Sequence, residues 1–363
     1  MSAALNAPGP AAQSLNATGA RMMTVLTRDG TNRLFSPLSA YGALTLLLNG
    51  ASGATEQVVR RAMQLPAGSL STDNEAISTL FHDIGGKETA MANAIFAPPG
   101  TEIGQSYKQD VAHYFGATIE PLVDDGPAGV KQVNEWVDRS TKHRINKLLD
   151  HLEKGDLVLA NAITFDGKWQ TPFDKSMTVS KTFHAYSGVQ DVPTMGRTGR
   201  MRYGKTSLGE ELELPYEGGR FAMRIMLPAA GDPAKMLGAS NTTPMMARQV
   251  DLQLPKFSFS DSMDLKAALT AIGLGSLYHG GEFGRLVPAR PAYKIGQAIQ
   301  KTWIEVDEEG TKAAAVTGIT MRALAVMPQT TIPFHVDRPF AFEIVHTATG
   351  AVLFSGIVYK INT

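Results

Sequence analysis

The sequence predicts an α+β fold in a single domain, on three observations. Helical spacing of apolar residues dominates the first half of the chain, and short strand runs broken by Gly, Pro and Asn fill the second. No alternating strand–helix–strand units occur, which argues against a parallel α/β sheet. No internal repeat or low-complexity linker divides the 363 residues, so 1–363 reads as one domain rather than two.

Residues 1–10 read as a disordered lead. From Ala11 to Leu26 the apolar residues Ala11, Leu15, Met22, Val25 and Leu26 fall at helical spacing, interrupted by Thr18 and Gly19. Ser36-Pro37 opens a helix over "LSAYGALTLLLNG", with Pro at an early position that needs no donor. "GATEQVVRRAMQLP" is a third helix, with Thr55 as its cap and Pro66 as its stop. "VKQVNEWVDRSTKHRINKLL" (130–149) is a long amphipathic helix with Val133, Trp136 and Val137 on one side. The strands follow in "DLVLANAITFDGKW", "GEELELPYEGGRFAMRIMLP" and "QVDLQLPKFSFS". Two apolar strands around a turn at Ala348–Ala351 close the chain.

Composition narrows the chemistry. Hydrophobic residues make up 43% and charged ones 19%, enough to bury a sizeable core. Lys+Arg and Asp+Glu both number 34, so no net field favours nucleic acid or an anionic membrane. The absence of cysteine excludes disulfides, thiol catalysis and cysteine-held metals, and is neutral on compartment. The N-terminal stretch lacks a signal-peptide pattern, and no later run is long and apolar enough to span a membrane as a helix. On those grounds alone a cytoplasmic location is expected.

Some motifs tempt without context. Gly199 to Thr206, "GRMRYGKT", fits the phosphate-loop pattern letter for letter. That chemistry needs a buried strand before it and a helix starting at the Lys; the flanks here are polar before and strand-like after. The eight histidines are scattered, and no nucleophile elbow is present. Arg60-Arg61 and Arg197–Arg202 read as solvated basic faces, the second open to an acidic polysaccharide.

The segment 308–325, "EEGTKAAAVTGITMRALA", carries a different signal. As a strand, one parity reads Thr311, Ala313, Ala315, Thr317, Ile319, Met321 and is free of charge. The other reads Lys312, Ala314, Val316, Gly318, Thr320, Arg322 and holds both charges. Period-two segregation suits a half-buried strand. "TKAAA" also suits a short helix, whereas Thr317, Gly318 and Thr320 do not. A segment exposed in one state and packed as a strand in another satisfies both patterns.

With these residues in view the chain resembles the serpins, a family of serine protease inhibitors, over nearly its whole length. "NRLFSPLSAYGALTLLLNGASGATEQVV", "ANAITFDGKWQTPFD", "LELPYEGGRFAMRIMLP", "LPKFSF", "WIEVDEEGTKAAA" and "FHVDRPFAFEI…TGAVLFSG" match its signatures in order. The resemblance implies helices mainly N-terminal, a large central mixed β-sheet plus smaller sheets, and an exposed reactive-centre loop at about 308–328. It implies a suicide inhibitor rather than an enzyme, monomeric, needing no cofactor or metal. Its partner would be a chymotrypsin-like or elastase-like serine protease, met outside the cytoplasm or in the periplasm. A non-inhibitory carrier or chaperone of the same fold is the alternative.

The resemblance also assigns residues. The hinge is Glu308, Glu309, Gly310, Thr311, Ala313, Ala314 and Ala315; Gly310 takes up the torsion change, and small inward residues cost little to bury. By family spacing the cleaved bond is Leu324–Ala325, and a Leu suits an apolar specificity pocket. Glu308 pairs with Lys256 near Trp169, latching the top of the sheet. Ser36, Ser39 and Asn161 form a polar opening site under its centre, with Gln300 where the family carries a histidine. Gln both donates and accepts, so the network survives while a histidine's pH sensitivity is lost.

Overall fold

The computed structural model describes residues 8–27, 30–155, 157–237, 244–289, 292–311 and 330–362. Helix α1 (Pro10–Leu26) leads into strand β1 (Arg33–Phe35) and helices α2 (Pro37–Gly50), α3 (Gly53–Ala62) and α4 (Leu70–Ile84). Strand β2 (Thr89–Ala97), helix α5 (Gln105–Phe115), strand β3 (Thr118–Pro121) and helix α6 (Pro127–Ser140) follow. Then come β4 (Leu157–Phe165), β5 (Gly167–Lys168), β6 (Val179–Ala185), β7 (Gly188–Lys205), β8 (Gly209–Pro215) and β9 (Phe221–Pro228). Strands β10 (Met246–Pro255) and β11 (Phe257–Asp264) precede the one-turn helix α7 (Lys266–Leu269). The chain ends through β12 (Gly281–Glu282), β13 (Ala292–Tyr293), β14 (Ile295–Val306), β15 (Gly310–Thr311), β16 (Ile332–His335), β17 (Phe340–His346) and β18 (Val352–Val358).

Among the described residues two large sheets form. The central one is mixed: β3 and β2 pair parallel, β2 and β4 antiparallel, β4 and β14 parallel, and β11 closes the far edge antiparallel to β14. At its upper end β15 lies between β14 and β5, antiparallel to both. The second sheet runs β1-β18-β17-β9-β8-β7-β10-β16, with β6 on β7. Helix α2 is buried along its whole length and packs against β2, β4 and β18. A helix apolar all round belongs inside a core, and this one forms the floor beneath the central sheet.

Several local expectations change. Helix α1 starts at Pro10, inside the stretch read as a disordered lead; residues 1–7 of that lead lie outside the described set. Thr18 and Gly19 do not interrupt its buried face but belong to it. A Cβ on Gly19 would sit 2.5 Å from the Pro37 Cβ, so glycine permits the close approach of α1 to the start of α2. Ser52 rather than Thr55 occupies the cap position of α3; the Thr55 hydroxyl instead accepts the Glu282 amide at 2.8 Å. Helix α6 stops at Ser140, well short of 149. The Thr141 hydroxyl donates to the Val137 carbonyl and accepts the Ile145 amide, and Lys142 and His143 take positive φ. The phosphate-loop look-alike is strand: Gly199–Lys205 belongs to β7, paired with β10 and β8, so no cradle of amides exists there.

Candidate functional site

The seam between β4 and β14 runs from Leu157 beside Ile295 to Ile163 beside Thr302. Above it the chain leaves β14, turns through residues 307–309 and comes back as β15. The turn is held by the Asp307 carboxylate, which accepts the Glu309 amide at 2.8 Å and the Gly310 amide at 3.1 Å. Thr311 then pairs with Val306 on one side and Gly167 on the other, and Gly310 with Lys168. Glycine at 310, expected for torsional freedom, is needed for a second reason: a Cβ would lie 2.1 Å from the Gly167 carbonyl oxygen. Thr311 is buried, and its hydroxyl meets the Tyr216 phenol at 2.7 Å in the core below. Gly310 and Thr311 therefore already form a short strand between β14 and β5.

A latch surrounds this point. Glu308 is 5% exposed and accepts Lys256 Nζ at 2.8 Å and the Thr178 hydroxyl at 2.7 Å. Trp169 donates its indole N–H to the Asp307 carbonyl at 2.9 Å and its amide to the Glu309 carbonyl at 2.8 Å. The indole stacks on Tyr216, centroids 4.6 Å apart. Lys175 reaches Glu309 at 2.7 Å across a more exposed surface. Burial would raise the Glu308 carboxyl, but the hydrogen bonds from Lys256 and Thr178 outweigh it and hold the group below its ordinary 4.5. A depressed acid stabilises the fold above its unfolded value and loses that contribution as pH falls through the native value. The wild type should thus lose roughly 2 °C more in Tm than Glu308→Gln between pH 6 and pH 3.5, about 1 kcal/mol for a pair with one exposed partner. Parallel melting curves would show that the pair does not hold the turn.

Lower on the seam, the structure brings Ser36, Ser39, Asn161 and Gln300 together, joined by Asn93. Gln300 accepts the Ser36 amide at 2.7 Å and donates to the Ser36 carbonyl at 3.1 Å and to Asn161 Oδ1 at 2.8 Å. Asn161 donates to Asn93 Oδ1 at 2.6 Å and to the Ser39 carbonyl. Ser36 caps α2, accepting the Ser39 amide at 3.1 Å. The Gln300–Asn161 bond is the one side-chain bridge of this cluster that joins β14 to β4, so parting these strands must break it.

The front of the seam is crossed by the linker from α6 to β4. Arg144 pairs with Asp166 at 2.5 Å and lies over the Trp303 ring at 5.8 Å. Lys301 Nζ donates to the Lys147 carbonyl at 2.6 Å, and Gln297 to the His151 carbonyl at 3.2 Å. Ala313, Ala314, Ala315, Leu324 and Ala325 lie outside the described residues. Tyr216, Thr178, Asn93 and Arg144 were not singled out from the sequence. A lone Asn in the apolar run "MANAIFA" was the one legible hint, whereas the others gain their roles only by proximity.

The chain matches the family model of the serpins (serine protease inhibitors) over residues 13–361. It is 31% identical to plasminogen activator inhibitor 1 of Sus scrofa, covering 91% of this chain and 87% of that protein. The crystal structure of tengpin, a thermophilic serpin, in its native state matches with a TM-score of 0.89 at 24% identity, covering 99% of this chain and 96% of the other. Thyroxine-binding globulin in complex with thyroxine matches with a TM-score of 0.83 at 24% identity, covering 98% and 99%. Those last two likenesses speak for the fold; taken with the family match over the seam, hinge and latch, they leave one assignment, and the chain belongs to the serpin family.

Proposed function

We propose that the protein inhibits serine proteases of chymotrypsin-like or elastase-like specificity by a suicide mechanism. The protease attacks the bond Leu324–Ala325 and forms an acyl-enzyme. The freed segment from Thr311 to about Arg322 then enters the seam as a new strand, carrying the acylated protease with it and distorting the active site before water completes the reaction. The observation that carries this reading is β15: two residues already sit between β14 and β5, antiparallel to both.

Extending that register is simple. Each further loop residue steps one residue back along both flanking strands, and β14 is 12 residues long. The segment 311–322 has that same length and ends two residues before the proposed bond. Six residues beyond Thr311, Thr317 would face Gln300 and Asn161, which are register partners across the present seam. A hydroxyl arriving there can donate to Asn161 Oδ1 and accept from Gln300 Nε2, replacing the bond that insertion breaks.

Incubation with chymotrypsin and with elastase tests the proposal. A complex stable to boiling detergent is expected, with release of a fragment of about 4 kDa, the mass of 39 residues at roughly 110 Da each. Leu324→Arg should move the activity toward trypsin-like enzymes by at least an order of magnitude in rate, because a buried cation in an apolar specificity pocket is costly. Cleavage without a complex would leave a carrier of this fold as the better description.

A further inference from the structure

The lower end of the central sheet carries a cleft of about 490 Å³ on its front, a size within the range of small-molecule sites. Separate parts of the chain meet there. Strand β14 contributes Gln297 and Ile299, which share the parity of Lys301 and Trp303; Asp264, the register partner of Ile299, comes from the end of β11. The linker entering β4 contributes His151 and Glu153, and the turn Gly275–Tyr278 after α7 contributes Tyr278. The backbone is irregular at this place. Ile295 pairs with Leu157 and Gln297 with Val158, so Gly296 is an extra residue in β14. Such a bulge interrupts the ladder and re-aims the side chain beside it, and bulges gather next to functional sites.

The chemistry of the lining is specific. Two of its side chains carry a buried polar atom with no hydrogen-bond partner among the described residues, Tyr278 Oη and Gln297 Oε1. The other end of the Gln297 amide donates to the His151 carbonyl at 3.2 Å, which leaves its oxygen as an acceptor in want of a donor. Burial first, and then the Asp264 carboxylate, push the Tyr278 phenol far above its ordinary value, so it stays a neutral hydroxyl. Lys266 Nζ lies 5.1 Å over the same ring. The formal charges balance, Lys266 and Lys294 against Asp264 and Glu153, with His151 at 3.7 Å from Glu153. A balanced lining draws in neither anions nor cations. It offers donors and acceptors side by side, and a hydroxyl group serves both: it donates to a carboxylate or to the Gln297 oxygen and accepts from an ammonium or a phenol. Ile295 and Ile299 add apolar surface for C–H faces.

We propose that this cleft binds a neutral polyhydroxylated molecule of the size of a mono- or disaccharide. The site goes beyond protease inhibition and does not depend on it. A molecule seated there touches both the linker entering β4 and strand β14. It therefore ties the two sides of the seam together at their foot, where the Leu157 amide already donates to the Lys294 carbonyl at 3.1 Å.

Saturation-transfer NMR and calorimetric titration of the intact chain with glucose and with trehalose test this. At least one of the two should bind with a Kd of about 1 mM or tighter and raise the Tm as its concentration rises. Glucose 6-phosphate and glucosamine should bind roughly tenfold more weakly, because the lining has no net charge to offer either. Tyr278→Phe should leave the unliganded Tm unchanged or higher, since it removes a hydroxyl without a partner, and should weaken sugar binding by about tenfold. Asp264→Asn should turn the preference toward glucose 6-phosphate, because the lining then carries a net positive charge. Silence from both sugars at about 10 mM would overturn the site. So would tighter binding of either charged analogue to the wild type. A Tyr278→Phe protein that binds sugar as the wild type does would place any binding elsewhere and overturn it too, and a fall in its unliganded Tm would show that the phenol is already served.

Discussion

Cut once within the reactive loop, the protein is expected to melt at least 10 °C higher than the intact chain, both halves remaining associated. The reason lies in the seam that continues below β15. Val306 and Gly167 already pair with Thr311, and the seam below them is a parallel contact of β4 with β14. A strand entering antiparallel between them pairs on both sides. Roughly twenty backbone bonds form and the parallel ladder of β4 with β14 is lost, so at about 1 kcal/mol each the gain is still comparable with a domain's whole stability. Ordering the segment takes back much of it. Half of the gross gain, at about 1.3 °C per kcal/mol for a chain of this length, still exceeds 10 °C. Differential scanning calorimetry of the intact and cut forms reads the shift directly, and equal midpoints would remove insertion from the account.

Thr311→Arg should leave the intact fold in place and abolish trapping, turning the inhibitor into a substrate that is cut and released. Thr311 is buried, and its hydroxyl meets the Tyr216 phenol, whose ring stacks on Trp169. Burial pushes the Tyr216 phenol far above its ordinary value, which marks a place hostile to charge. Desolvating a guanidinium there costs several kcal/mol. The arginine would stay outside, holding the hinge at the mouth of the seam. The detergent-stable band should fall to under a tenth of wild type, while Thr311→Ser keeps it. A full-strength band from Thr311→Arg would show that insertion does not begin at this residue.

Legibility varied with the kind of signal. Helix α2 and strands β8, β9, β17 and β18 were readable because long apolar runs with Pro or Gly at their ends admit few alternatives. Helices α4 and α5 and strand β2 were not singled out. Asp73 and Asn74 face inward on α4: Asp73 pairs with Arg60, and Asn74 exchanges hydrogen bonds with Asn49. A helix that buries polar residues against partners far along the chain does not show an apolar stripe. The amphipathic spacing of α6 continues past Ser140 to 149, whereas the left-handed Lys142 and His143 end the helix.

The site divides in the same way. Glu308, Lys256, Trp169, Ser36, Asn161 and Gln300 were nameable in advance through the family pattern; the structure brings Glu308 to Lys256, and Gln300 to Ser36 and Asn161. Nothing local points to Tyr216 as the partner of Thr311, to Asn93 as the third amide of the seam cluster, or to the clasp of Arg144 on Asp166 and Trp303. Sequence alone determined the α+β order, the helix that Ser36-Pro37 opens and a loop whose alternate residues are fit for an interior strand, because periodicity and residue size are properties of a segment. The tertiary structure decided that the hinge is already seated to Thr311, that helix α2 lies buried beneath the sheet and which pairs face one another across the seam, because register and burial arise only when distant elements are set side by side.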